Sequence, residues 1–366
     1  MVKMLRYGVL WLGLVACAGA VRSEAMTSGG SGLSPELRSR FEASLARGGE
    51  YLRHTREADG SWSHDPGVTS LAVLALLGDP SRSLDQRRAD IAPSLAYVAG
   101  FAKPDGGIYQ RDMPNYYTAV AVLAFVEAGT PEYRPLVARA QEFLLRHQAD
   151  EGEGYTPADK FYGGIGYGAD LRPDIANLEY GLQALRASGL APDNPAWEKA
   201  IRFLERSQNR SESNDQKWAG NDGGFVYYPG FSYGGDGKGT QSYGSMTYAG
   251  LLSFSWSRVG KDDPRVAAAF EWIRSHYTVD ENPGMGQKTV YYYYMVFAKA
   301  LRALGVDVVS DAQGVRHDWR VDLGTKLVAL QHEEGYWVNP DPAWWQDNKA
   351  LVTAFTLQAL ADVLGR

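Results

Sequence analysis

Glu334-Gly335-Tyr336-Trp337 sits between two stretches of helical periodicity, one ending at Leu327-Val328-Ala329-Leu330-Gln331 and one running from Thr353 to Leu364. The pattern recurs upstream. Asp59-Gly60-Ser61-Trp62, Asp105-Gly106-Gly107-Ile108-Tyr109 and Glu153-Gly154-Tyr155 each separate two such stretches, as do Asp222-Gly223-Gly224-Phe225 and Asn282-Pro283-Gly284-Met285-Gly286. Two helices per unit and a period of about 45 residues define a helical repeat architecture.

Working outward from the loops, the periodicity predicts helix pairs at Pro35–His54 with Val68–Leu77, Asp90–Ala102 with Tyr116–Ala128, and Pro135–His147 with Ile175–Ala187. Three more follow: Pro195–Ser207 with Tyr243–Trp256, Asp263–Tyr277 with Val290–Leu304, and Trp319–Gln331 with Ala350–Leu364. First helices carry one apolar stripe and one charged face, as in Ala200-Ile201-Arg202-Phe203-Leu204-Glu205-Arg206. Second helices are apolar all round, as in Thr118-Ala119-Val120-Ala121-Val122-Leu123-Ala124-Phe125, and must be buried on every side. An inner ring of second helices inside an outer ring of first helices satisfies both patterns. An open solenoid needs polar caps at its ends, yet the last helix stays apolar almost to its terminus. The expected fold is therefore all-α, a closed (α/α)6 toroid formed by residues 35–366 as one domain. The loop glycines reverse the chain at positive φ, and the aromatic after them fills the gap between units.

The chain has 366 residues and a net charge of −6, which excludes the basic character of a nucleic-acid partner. Residues 1–20 read as a signal peptide, with Lys3 and Arg6 ahead of an apolar run from Tyr7 to Ala16. Leu14-Val15-Ala16-Cys17 has the form of a lipobox, so Cys17, the single cysteine, is a candidate for lipidation and for peripheral membrane association. Cleavage after Ala18-Gly19-Ala20 is the alternative. Residues 21–34 are polar and read as a flexible tether. The expected location is exported: periplasmic, outer-membrane lipoprotein or secreted.

Gln331-His332-Glu333-Glu334-Gly335-Tyr336-Trp337 resembles the repeat of squalene–hopene and oxidosqualene cyclases, and Gln148 through Tyr155 and His54 through Trp62 are looser copies. The mature chain is similar to short exported bacterial members of this prenyltransferase/squalene-cyclase repeat family. The resemblance implies an α/α barrel around a cavity for an apolar or isoprenoid ligand. Such cyclases protonate their substrate with an Asp-x-Asp-Asp motif whose middle Asp is the acid. The nearest match here is Asp174-Ile175-Ala176-Asn177, with alanine at the acid position. Prenyltransferase β subunits share the barrel but bind zinc through a cysteine that the mature chain lacks, as it lacks the cysteine of complement thioester domains. No cofactor or metal is implied: the histidines are scattered, and Gly164-x-Gly166-x-x-Ala169 has no βαβ context that would make it a dinucleotide site.

Three loops exceed what a turn requires: Ala149 to Asp174, Asn209 to Ser242, and His332 to Lys349. All join a first to a second helix, so they crowd one mouth of the barrel, and their aromatic content argues against disorder. Asp170 and Asp174, with Arg172 between them, are the candidate catalytic carboxylates. Asp174 reads equally as a helix N-cap, and Asp347 invites the same choice. Tyr117, Tyr228, Tyr233, Tyr243, Tyr292 and Trp344 are candidate ligand contacts. Tyr116, Tyr248 and the run Tyr291-Tyr292-Tyr293-Tyr294 extend the lining or pack in the core. The ligand is expected to be an apolar small molecule or a polysaccharide. The alternatives are a non-catalytic scaffold and an exported polysaccharide lyase or glycosidase, which would need paired carboxylates.

Overall fold

The computed structural model describes residues 26–27, 32–168 and 172–365; residues 1–25, including Cys17 and the leader, and Asp170 lie outside the described residues. Helices α1 (Pro35–His54), α3 (Leu84–Ala99), α5 (Arg134–Arg146), α7 (Ala196–Ser207), α9 (Pro264–Ser275) and α11 (Trp319–Leu330) alternate with a second set. That set is α2 (Pro66–Leu77), α4 (Pro114–Ala128), α6 (Ile175–Ala187), α8 (Gly244–Trp256), α10 (Val290–Ala303) and α12 (Lys349–Val363). Boundaries match the periodicity except in α3, which starts at Leu84 rather than Asp90 because Ser83 and Gln86 form a reciprocal capping box.

The two sets differ as their sequences require. In α5 the buried residues Leu136, Ala140, Phe143 and Leu144 form a single stripe. In α4 nearly every residue from Tyr117 to Phe125 is buried. Each even-numbered helix packs on the next, α2 on α4 through to α10 on α12, and α12 packs on α2. On the outside α1 packs on both α11 and α12. A short antiparallel sheet departs from the all-α expectation: β1 (Met26–Thr27) pairs with β2 (Val308–Ser310), and β2 pairs with β3 (Arg316–Asp318). Part of the stretch read as tether is thus a strand.

The repeat has a hydrogen-bond logic. Gln148 donates to the carbonyls of Gly163 and Ala196, Gln208 to those of Gly223 and Arg265, and Gln331 to those of Gly335 and Ser44. Each glutamine thus joins its own loop to the next outer helix. The following loop residue is a buried wedge whose N–H donates to a threonine of the inner helix: Trp62 to Thr69, Ile108 to Thr118, Phe225 to Thr247 and Trp337 to Thr353. The third repeat loop is therefore Tyr162-Gly163-Gly164-Ile165, not the expected Glu153-Gly154-Tyr155. Gly163 has φ +86° and lies against the Lys199 carbonyl, whereas Gly154 faces open space. In the second unit the wedge is Ile108 rather than Tyr109, so the plug need only be apolar.

Candidate functional site

The loops after the outer helices reach across to the N-terminus of the preceding inner helix. Tyr167 accepts from Asn115 N at the start of α4, Tyr227 from Ile175 N at the start of α6, and the Asn282 side chain from Ser245 N in α8. Gln346 accepts from Tyr291 N in α10, and Asn348 donates to Ser63 beside α2. All but the last of these contacts satisfy helix-end N–H groups that would otherwise lack partners. They also place loop aromatics over the inner helices. The two longest loops are clamped together by Arg206, 2% exposed, which pairs with Asp215 through two contacts of 2.7 and 2.8 Å and donates to the carbonyls of Pro157 and Asp159. The guanidinium holds the Asp215 carboxyl well below the usual carboxylate range.

Beneath these loops lies a cavity of about 260 Å³. Its wall takes Val68 from α2, Tyr116 and Tyr117 from α4, Ala176, Asn177 and Tyr180 from α6, and Ser245 and Met246 from α8. Tyr292 comes from α10 and Leu351 and Phe355 from α12, while loops add Tyr167, Tyr227, Tyr243, Met285, Trp344, Trp345 and Gln346. The cavity thus occupies the first two turns of the inner helices, where their N-terminal dipoles converge. Burial raises the pKa of the Tyr116, Tyr180, Tyr243 and Tyr292 phenols, so they line the wall as neutral groups.

Among the described residues one carboxylate lines the wall, Asp65, which is not among the candidates drawn from the sequence. It caps α2 through Oδ1, which accepts from Gly67 N and Val68 N at 2.9 Å. Its Oδ2 accepts from the Tyr117 hydroxyl at 2.7 Å and from Arg111 at 3.3 Å. Its signal in the sequence is Asp65-Pro66, an Asp before a helix-starting proline, but it lies in a short loop, and loop length points to the longer ones.

Asp174 caps α6, with Oδ1 accepting from Asn177 N at 2.9 Å and Oδ2 from Asn177 Nδ2 at 2.6 Å. It stands behind the wall formed by Asn177, Tyr167, Tyr227 and Tyr243 rather than on it. Burial pushes its pKa up to about 6, against hydrogen bonds from Asn177 and Tyr227 that favour the carboxylate. Ala176, at the position where the resembled motif has its acid, does line the cavity. Of the other expected contacts, Tyr117, Tyr243, Tyr292 and Trp344 line it. Tyr233 packs edge-on against Trp344 at 5.1 Å, at the rim. Tyr228 stacks on Phe231 and carries the exposed Arg172 guanidinium over its ring at 5.2 Å, outside the wall. Asp347 is exposed, and its neighbour Gln346 takes the inward place.

Within the tyrosine run only Tyr292 faces the cavity. Tyr293 and Tyr294 donate to the carbonyls of Thr278 and Val279, and Tyr248 packs on Tyr293 and Phe297. Among the described residues no group of three or more His, Cys, Asp or Glu side chains is placed to hold a metal.

The alternation of buried and amphipathic helices is a terpenoid-cyclase-like α/α fold, as the likeness to solved structures shows. The chain is similar to the type II terpene cyclase MstE from Scytonema in complex with merosterolic acid A (product), at TM-score 0.58 and 12% identity over 91% of this chain and 99% of that one. It is similar to MstE in complex with geranylgeranyl dihydroxybenzoate (substrate) at TM-score 0.56, with the same identity and coverage. A glycosidase in complex with glucose is similar at TM-score 0.53 and 14% identity, over 91% of this chain and 99% of that one. At these identities the likeness establishes the fold. No family model and no curated protein matches the chain.

Proposed function

We propose that residues 35–366 form one closed toroid of six helical hairpins whose central chamber binds an apolar, isoprenoid-like small molecule. The observation that carries this reading is the wall: aromatic rings, methionines and aliphatic side chains from all the even-numbered helices and the loops around one cavity. Such a surface gains by excluding water and stacks well on flat or branched hydrocarbon.

The reading is ligand binding without proton-initiated cyclisation. Ala176 supplies a methyl where an acid would stand. Both oxygens of Asp65 already accept hydrogen bonds, which is the setting of an acceptor rather than a proton donor. A glycosidase needs two carboxylates flanking its substrate, and among the described residues the wall offers Asp65 alone. Export with lipid attachment at Cys17 belongs to the same proposal and rests on the leader sequence. Mass spectrometry finding an unmodified N-terminus at Val21 would remove the lipid and leave export intact.

The test of the chamber is a fluorescence titration, since Trp344 and Trp345 lie on its wall. Geranylgeraniol should give a saturable change, glucose none, and Ala176→Phe, which fills the chamber, should abolish the response while the protein stays folded. Saturation by glucose instead, or by neither, overturns the reading.

A further inference from the structure

Three polar groups of the chamber wall are left without partners. Asn177 donates its Nδ2 to Asp174, which fixes the orientation of the amide and leaves Oδ1 as a buried acceptor with nothing to accept from. The Tyr180 and Tyr292 hydroxyls are also buried and have no hydrogen-bond partner. All three residues line the one cavity. Asn177 and Tyr180 lie one turn apart on α6, and the Tyr180 and Tyr292 rings are neighbours on the wall, with centroids 6.5 Å apart and planes tilted by 42°. A buried polar group without a partner costs free energy that folding does not return, so three around one cavity point to a ligand that completes them.

We infer that this wall is a polar subsite for a neutral hydroxyl at one end of an otherwise apolar ligand. The inference rests on the chamber reading and specifies the ligand's class: an isoprenoid alcohol rather than a hydrocarbon or a prenyl diphosphate. An alcohol both donates and accepts, which matches an amide oxygen that accepts and two phenols that do either. An anion does not match. Among the described residues the wall carries no Lys or Arg to balance an anion, and Glu179, fully buried next to Tyr180, keeps one carboxylate oxygen without a partner. The cation at the chamber wall's edge, Arg111, is engaged by Asp65.

The experiment compares geranylgeraniol, the hydrocarbon of the same skeleton and geranylgeranyl diphosphate, on the parent and on the Tyr180→Phe/Tyr292→Phe double variant. The parent should bind the alcohol roughly tenfold more tightly than the hydrocarbon, the scale of one or two buried hydrogen bonds, and the diphosphate more weakly than the alcohol. The double variant should lose the preference for the alcohol while hydrocarbon affinity is kept, and should melt no lower than the parent because the removed hydroxyls had no partners. Equal binding of alcohol and hydrocarbon by the parent, or an alcohol preference that survives in the double variant, overturns the subsite while leaving the chamber. Tightest binding of the diphosphate overturns its neutral character. Failure of all three ligands to bind overturns the chamber and the subsite with it.

Discussion

At the residue scale the informative pair is Asp65 and Asp174, two aspartates that cap inner helices and differ in surroundings. Asp174 is buried with no ion-pair partner among the described residues, and its pKa rises to about 6. An unfolded aspartate titrates near 4. As pH falls through about 6, the folded state therefore takes up a proton that the unfolded state does not. Stability linked to this group grows until about pH 4 and is lost again as pH rises through 6. Asp174→Asn keeps an N-cap acceptor but removes the titration. Relative to the parent, it should gain on the order of 2 kcal/mol between pH 4 and pH 7.5 in denaturant titrations. A pH-independent difference would show that Asp174 is an ordinary surface-like cap. Asp174→Ala should cost a further ~0.5–2 kcal/mol at any pH through cap loss. The sequence announced Asp174 through its local motif and Tyr117, Tyr243, Tyr292 and Trp344 through their positions at helix starts and in a long loop. It did not separate inward from outward tyrosines, because a run of four rings on a helix points in all directions until neighbours choose among them.

At the element scale the repeat is carried by loop backbone, which explains both what was legible and what slipped. Helix positions follow from apolar periodicity, closely except at the start of α3, which the Ser83 capping box sets. The third loop was misplaced because Glu153-Gly154-Tyr155 imitates the pattern in sequence, whereas the Gln148 hydrogen bond selects Gly163, further along. Glycine substitution separates the two. A Cβ at Gly163 would stand 1.7 Å from the Lys199 carbonyl oxygen, and one at Gly154 would meet nothing within 4 Å, although both have positive φ. Gly154→Ala should cost only the left-handed backbone term, about 1–2 kcal/mol. Gly163→Ala adds a clash with backbone that cannot rotate away, and should exceed 3 kcal/mol or prevent folding. Equal costs in urea unfolding would mean that Gly163 does not hold the unit to its neighbour.

At the scale of the whole molecule the question is whether the last unit is joined to the first as any unit is to the next. Gln208 links its own loop to α9 by hydrogen bonds of 2.9 and 2.8 Å. Gln331 links its loop to Ser44 of α1 by two of 2.9 Å, and α12 lies on α2 behind that seam. In a ring both seams bear on the cooperativity of the entire domain, because opening either one exposes the apolar flanks of inner helices. In an open array the contact between first and last units would be incidental, and stability would be a sum of neighbour terms. Replacing either glutamine by alanine strips a donor from two carbonyls, a loss of about 1–3 kcal/mol. The seam at Gln208 is fully buried and that at Gln331 only partly so, but the Gln331 Oε1 also accepts from the Ser44 hydroxyl and Arg47, so the two variants should cost similar amounts within this range. Both variants should still melt in a single transition, shifted downward. If Gln331→Ala melts like the parent while Gln208→Ala does not, or if it resolves a separate early transition for α1 and α12, the molecule is an open superhelix whose ends merely touch.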